Sequence, residues 1–422
     1  MHRAAGSHEE QRRTIVNTSL KKPVIALAAL TVSALALAGC SGDNGSGSGG
    51  GDGDQVTLVV WESLEGRSDF IKQAGEAYTE QNPNVTIEYK NVELGDAPAQ
   101  IALDGPAGVG PDVFAAPSNA TGELVAGGHI LAVAGADELR DELLEGAVQN
   151  VTYDDEMWGV PVTIDTYSLF YNKAYVTDPP KTWDDVVAFS KQFAAENPGK
   201  YGFAMNPGVV YYAGSFLFDA PDNLPFGENV DDPSQPNTDT AATAEGAAEL
   251  VKLREVLDVA ADDLDDATVD TLFESGQSAM TLTGSWNIPV FDDAGLDYAV
   301  TTMPAAAGSD QPSGSFSNSR TMYVSAYSEH TEAAQDFAAF LASPEMLQLA
   351  YDLTGSVPSA DIPVDNEATL GLIEQGEYAF PSPSIPEAAQ FWLAMDSAVK
   401  NIWNGADIDT ELATATSVIE GQ

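Results

Sequence analysis

The chain has 422 residues, with 65 Asp or Glu against 17 Lys or Arg, a net charge of −48, and one cysteine. That balance repels nucleic acid and anionic lipid surfaces, and a lone cysteine excludes an intrachain disulfide. Hydrophobic residues make up 44% of the chain, so it holds real cores and is not a disordered acidic tail.

The first stretch is organised around Cys40. Arg12, Arg13, Lys21 and Lys22 precede an apolar run at 24–38, which ends in Leu37-Ala38-Gly39-Cys40. The run is shorter than the ~20 residues that span a bilayer. Residues 41–54 contain only Gly, Ser, Asp and Asn. Basic region, apolar region and small residues are the parts of a secretory signal, and a cysteine placed there resembles the bacterial lipobox. Residues 1–39 are therefore read as a lipoprotein signal peptide, Cys40 as the acylated first residue of the mature chain, and 40–54 as lipidated Cys and flexible linker. The expected location is the cell membrane, lipid-anchored on its extracytoplasmic face. Without 1–39 the chain keeps 12 basic and 63 acidic residues, net −51.

From residue 56 the pattern is globular. Val56-Thr-Leu-Val-Val-Trp61 reads as a buried strand, 67–81 as a helix closed by Asn82-Pro83, and 85–89 and 110–114 as further strands. Strand, helix, strand, then helix and strand again marks a parallel sheet with covering helices. Gly105, Gly108 and Gly110 do not form a dinucleotide fingerprint, because no strand leads into them and no helix opens on them. Helices are expected over 119–127 and 137–149, and strands over 158–162 and 167–171. Thr182 is read as the cap of a helix that Asn197-Pro198-Gly199 ends, with Asp185 in capping-box position. Residues 201–206 read as a strand, 219–240 as a long loop, 241–257 and 270–274 as helices, and 277–283 and 296–303 as strands. A flexible segment at 305–319 then precedes the last strand at 320–325. Two helices broken at Ser343-Pro344 fill 331–353, and 385–403 and 407–419 are terminal helices.

Three stretches carry a resemblance. They are Tyr167-Ser-Leu-Phe-Tyr-Asn-Lys173 with Pro179-Pro-Lys-Thr-Trp183, Phe273-Glu-Ser-Gly-Gln-Ser-Ala-Met-Thr-Leu-Thr-Gly-Ser-Trp286, and Pro383-Ser-Ile-Pro386 with Gln390-Phe-Trp392. In order and spacing they resemble the extracytoplasmic solute-binding proteins of ABC sugar importers, most closely the maltose and maltodextrin binders. The resemblance implies an α/β, two-lobed periplasmic-binding-protein-like fold of type II, with ligand in the interlobe cleft and several hinge crossings, near Ile164, Met303 and Val357. It places the N-terminal lobe at 55–164 and 304–357 and the C-terminal lobe at 165–303 and 358–422. It implies a monomeric, non-enzymatic receptor that passes an oligosaccharide to ABC permease subunits served by a separate ATPase.

Sugars offer hydroxyls and flat C–H faces, so a site needs aromatic platforms and fixed polar groups, and carboxylates bond hydroxyls strongly. Trp286, Trp392 and Tyr211 fall where the family places aromatics on sugar rings. Asp165 matches an acidic hydroxyl acceptor, and Glu65 matches an acidic position loosely. In Ala115-Ala-Pro-Ser-Asn119 the maltose binder has a Trp and an Asp-Arg pair; here Ala115, Ser118 and Asn119 stand there. Val209 replaces an acidic residue and Leu393 an aromatic one. Trp61, Trp158, Trp183 and Trp403 are assigned to packing. The four histidines, His2, His8, His129 and His330, have no ligand-like spacing, so neither a metal nor a cofactor is expected. A lipid-anchored extracellular glycosidase, which also needs aromatics and paired carboxylates, and a binder of polyamine or peptide are the alternatives.

Overall fold

The structure, a computed structural model, describes residues 55–64, 67–220, 222–228 and 230–421; the expected signal peptide, Cys40, the linker and Glu65 lie outside them. Strand β1 (Val56–Glu62), helix α1 (Arg67–Gln81) and β2 (Val85–Asn91) form a crossover unit. The strands pair in parallel from Val56↔Val85 to Glu62↔Asn91. Helical spacing puts Phe70, Ile71, Ala74 and Tyr78 on the buried face of α1. Helix α2 (Ala97–Asp104) leads to β3 (Val113–Pro117), which pairs in parallel with β1. The third strand thus starts three residues later than its apolar pattern suggests. Pro111 has no amide hydrogen, and the Asp112 carboxylate accepts from the Val59 amide (2.8 Å) and the Ser328 hydroxyl (2.5 Å).

Helices α3 (Thr121–Ala126), α4 (Ala136–Glu142) and α5 (Glu145–Asn150) follow. The single helix expected over 137–149 is two. Leu144 is extended, and its amide donates to the Ser359 carbonyl (2.8 Å), which interrupts the helical ladder. The hairpin β4 (Thr152–Tyr153) and β5 (Glu156–Met157) precedes β6 (Val160–Asp165) and β7 (Tyr167–Asn172). Helix α6 (Trp183–Glu196) is capped by Thr182, whose hydroxyl accepts from the Asp185 amide at 3.1 Å. Residues 201–206 make isolated bridges at Tyr201 and Ala204 and no full strand. Helix α7 (Val210–Leu217) escapes the periodicity reading because seven of its eight residues are buried, so no polar face marks it.

Helix α8 (Ala241–Lys252), α9 (Asp266–Glu274), β8 (Met280–Gly284), α10 (Ile288–Asp293) and β9 (Tyr298–Thr301) lead to β10 (Ser315–Val324). Residues 315–319, expected to be flexible, are the first half of this strand. Their Ser and Asn side chains carry no apolar signature, yet they are held by polar contacts: Asn150 Nδ2 donates to the hydroxyls of Ser317 (3.3 Å) and Ser319 (3.1 Å). Nor is β10 the last strand. After α11 (Thr331–Leu341) and α12 (Pro344–Thr354) come β11 (Val357–Pro358), α13 (Glu367–Gly376) and β12 (Ala379–Pro381), then α14 (Ala388–Trp403) and α15 (Ile408–Ile419).

Two sheets result. One runs β11-β6-β10-β3-β1-β2 with β12 beside β10; the other runs β8-β7-β9. Each has its own apolar core. Leu58, Val60, Phe70, Val162, Phe337 and Leu341 belong to the first, and Leu169, Trp183, Phe203, Phe216, Phe391 and Trp403 to the second. The chain passes from one sheet to the other at Thr166, between β6 and β7. There the Thr166 hydroxyl donates to the Phe316 carbonyl (3.0 Å) and bonds the Ser315 hydroxyl (2.8 Å), stitching that crossing to β10.

Candidate functional site

The site is assembled where β10 leaves the second core and enters the first sheet. Successive side chains of a strand point to opposite faces. Ser317 and Ser319 turn to Asn150 on one side. Phe316 turns to the aromatic cluster, and Arg320 turns to Glu62. Phe316 is fully buried and acts as an anchor for the platforms. Tyr211 lies nearly parallel to it (centroids 6.2 Å, interplanar angle 11°). Trp392 meets it edge-on at 5.2 Å, and Trp286 lies 6.4 Å from Tyr211. All three aromatics are half-buried.

Local sequence explains these placements. Trp286 sits in the short 3-10 turn after β8, and its indole folds back over Gly284. A Cβ at Gly284 would come within 2.2 Å of the ring and 2.6 Å of the Thr166 carbonyl, so only glycine permits this approach. Tyr211 stands in the first turn of α7, whose Val210 amide donates to the Asp396 carboxylate on α14 at 2.7 Å. Trp392 is on α14 itself, beside the fully buried Phe391. One helix-to-helix bond therefore ties two of the platforms together.

The polar side comes from the other sheet. Asp165, half-buried at the end of β6, is opposite Asn318 in the ladder, and its Oδ1 accepts from the Thr163 hydroxyl (3.1 Å). Arg320 forms an ion pair with Glu62, which is 1% exposed at the end of β1. Arg67, buried at the start of α1, donates to the hydroxyls of Ser356 (2.5 Å) and Thr354 (3.3 Å), beside β11. Burial, with the charge of Arg320 second, brings the Arg67 guanidinium down to about 10, against the opposing pull of Asp165 and Glu62. Burial raises the Tyr211 phenol well above its ordinary value, and Tyr167 and Asp165 add to the effect. Two guanidiniums and two carboxylates thus balance, and a phenol that stays neutral completes the set.

The structure brings Tyr211, Trp286 and Trp392 together and places Asp165 beside Asn318 at the lobe crossing. Ser118 is buried, and its hydroxyl accepts from the Ser319 amide at 2.9 Å. Asn119 is half-buried in the same 3-10 turn. Glu65 lies outside the described residues. Trp61, Trp183 and Trp403 are core residues at 3%, 2% and 0% exposure, and Trp158 is half-buried with its indole donating to the Tyr153 carbonyl at 2.9 Å. Sequence reasoning missed Arg67, Glu62, Asn318 and Arg320. Arg320 had a signal: it is one of only 12 basic residues after position 39, and it stands inside a β-strand. Among the described residues, no group of three or more His, Cys, Asp or Glu could hold a metal ion, and no helix is long and apolar enough to cross a membrane.

The profile of the bacterial extracellular solute-binding protein family matches residues 73–368. The chain belongs to that family. This solute-binding protein is similar to the galactooligosaccharide-binding protein of Bacillus subtilis, with 30% identity over 86% of the chain and 89% of the relative. It is also similar to the maltodextrin-binding protein MdxE of Bacillus subtilis, with 27% identity over 95% and 97% of the two chains. Among solved structures it is similar to a cyclo/maltodextrin-binding protein complexed with maltotetraose, with a TM-score of 0.76, 25% identity, and coverage of 86% of this chain and 96% of that one. The solute-binding protein therefore has the two-lobed type II fold.

Proposed function

We propose that this protein is the receptor of an ABC sugar importer, binding a malto-oligosaccharide or related oligosaccharide between its lobes and delivering it to membrane permease subunits. The observation that carries this reading is the pairing of three half-buried aromatics with a charge-balanced polar floor. Apolar ring faces suit the C–H faces of sugars, and fixed carboxylates and guanidiniums suit their hydroxyls. The balance of Arg67 and Arg320 against Glu62 and Asp165 suits a neutral ligand and disfavours a polycation, despite the strongly acidic chain. The names of the relatives, which bind galacto-oligosaccharide and maltodextrin, support the same class.

In this reading 55–164 and 304–357 make up one lobe and 165–303 and 358–422 the other. Open lobes admit the sugar, Trp286, Trp392 and Tyr211 stack on it, and the hinge closes. A preference of a few kcal/mol for the closed form is enough to shift the population. The protein carries out no chemistry on the sugar. It works as a monomer without cofactor, held to the extracytoplasmic face of the membrane by acyl groups on Cys40. The direct test is Trp286→Ala. Loss of one stacked aromatic, worth about 1 kcal/mol or more beyond its area, lowers sugar affinity by an order of magnitude. Unchanged affinity removes Trp286 from the site.

A further inference from the structure

The platforms account for how a sugar ring is held, but not for how one sugar is told from another. Discrimination needs buried polar groups that a wrong hydroxyl leaves unpaired. The side chains on the site face of β10 include such groups. Among the described residues, the buried Oδ1 of Asn318, Nε of Arg320 and Nε1 of Trp392 have no hydrogen-bond partner in the protein. A buried donor or acceptor left unmade is costly, about 1–3 kcal/mol each, and such atoms are rare enough to require an explanation.

These atoms are grouped. Asn318 and Arg320 are two residues apart, so they share a face of the strand. Asn318 is the ladder partner of Asp165, and its amide faces the Tyr211 hydroxyl. Phe316, two residues earlier on that face, contacts Trp392. Arg320 is not free to turn away. Its Nη1 is held by Glu62 and reaches the Ser63 hydroxyl at 3.3 Å, while the Ser63 amide donates to the same Glu62 oxygen at 2.6 Å. Glu62 is thus a positioning residue, which fixes the guanidinium and leaves Nε uncommitted. A donor (Arg320 Nε), an acceptor (Asn318 Oδ1) and a carboxylate (Asp165) then line one edge. Adjacent ring hydroxyls, each able to donate and accept, match that set.

We propose that Asn318 and Arg320, with Asp165, form an edge on β10 that reads a vicinal diol of the bound sugar and sets which sugar is accepted. This rests on the oligosaccharide reading above. The test is titration calorimetry of Asn318→Ala, Arg320→Lys and Trp286→Ala beside the unsubstituted protein, with maltotriose and a β-linked galactotriose as probes. Asn318→Ala removes Oδ1, which has no protein partner, together with the amide that faces the Tyr211 hydroxyl. Arg320→Lys keeps a cation for Glu62 and removes Nε. Unfolding midpoints within about 2 °C of the unsubstituted protein establish that the fold is kept. The expected result is a loss of tenfold or more in affinity for the bound sugar in both variants. Affinities within twofold of the unsubstituted protein, while Trp286→Ala weakens binding, overturn the diol edge and leave the oligosaccharide reading standing. No binding of either sugar by the unsubstituted protein overturns both.

Discussion

Asp270, half-buried on α9, shows how one residue ties the site's surroundings to pH. Burial raises its carboxyl from 3.8 to about 6; Asp266 and Glu274 push the same way, and a hydrogen bond with Asn287 opposes them. The folded state therefore binds this proton more tightly than the unfolded chain. Between pH ~4 and ~6 the folded protein carries more protons, so this group's contribution to stability falls as pH rises through that window. Above it, an ionised carboxylate stays in a poorly solvated place. Asp270→Asn should raise the urea midpoint at pH 7.5 and flatten the stability profile between pH 4 and 6. An unchanged midpoint at both ends would show that the carboxyl is not perturbed. The neighbour Asn287 follows Trp286 directly, and its Nδ2 donates to the Thr283 hydroxyl on β8 at 2.7 Å. Support for Trp286 and for the half-buried carboxyl of Asp270 thus shares one side chain.

At the scale of elements, local chemistry was readable where a segment has a face or a cap. Helix α1 follows its apolar spacing to both ends, and α6 follows Thr182. Thr182→Ala removes the acceptor for the Asp185 amide and should cost about 1 kcal/mol in denaturant unfolding; a cost near zero would mean that solvent replaces the cap fully. Segments with no contrast between faces were harder. Helix α7 is buried almost all round, so it lacks a period. The first half of β10 is Ser- and Asn-rich and is defined by contacts with Asn150 and Thr166, which are distant in the chain. The site divides along the same line. Trp286, Trp392 and Tyr211 were named from short motifs, whereas the pairing of Glu62 with Arg320 spans 258 residues and is visible only once β1 and β10 are folded together. That pair is also a point of vulnerability. Removing one partner of a buried ion pair costs about 3–5 kcal/mol, so the charge-retaining Lys is the informative substitution at position 320.

At the scale of the whole molecule, open space lies beside the strands that link the two sheets. A cavity of about 460 Å³ is lined by Ile164, Thr166, Ser317, Val357, Pro358 and Pro381, residues from several of the strands that cross or flank the hinge. Ser317 faces it, whereas Asn318 and Arg320 lie on the other face of β10, so the crossing strands have packing room on the side away from the site. The acyl anchor proposed at Cys40 completes the working arrangement. Cys40→Ser should release the protein from the membrane fraction and leave sugar affinity unchanged; retention in that fraction would count against the lipid anchor. Above all, the cleft is proposed to take a neutral oligosaccharide and return it intact. Calorimetric titration with maltotriose, β-linked galactotriose and spermidine, followed by analysis of the recovered ligand, puts this to the test. Saturable binding of at least one of the two sugars, none of spermidine, and full recovery of uncleaved sugar are expected. Saturable spermidine binding without sugar binding, or cleavage of the recovered sugar, would contradict it.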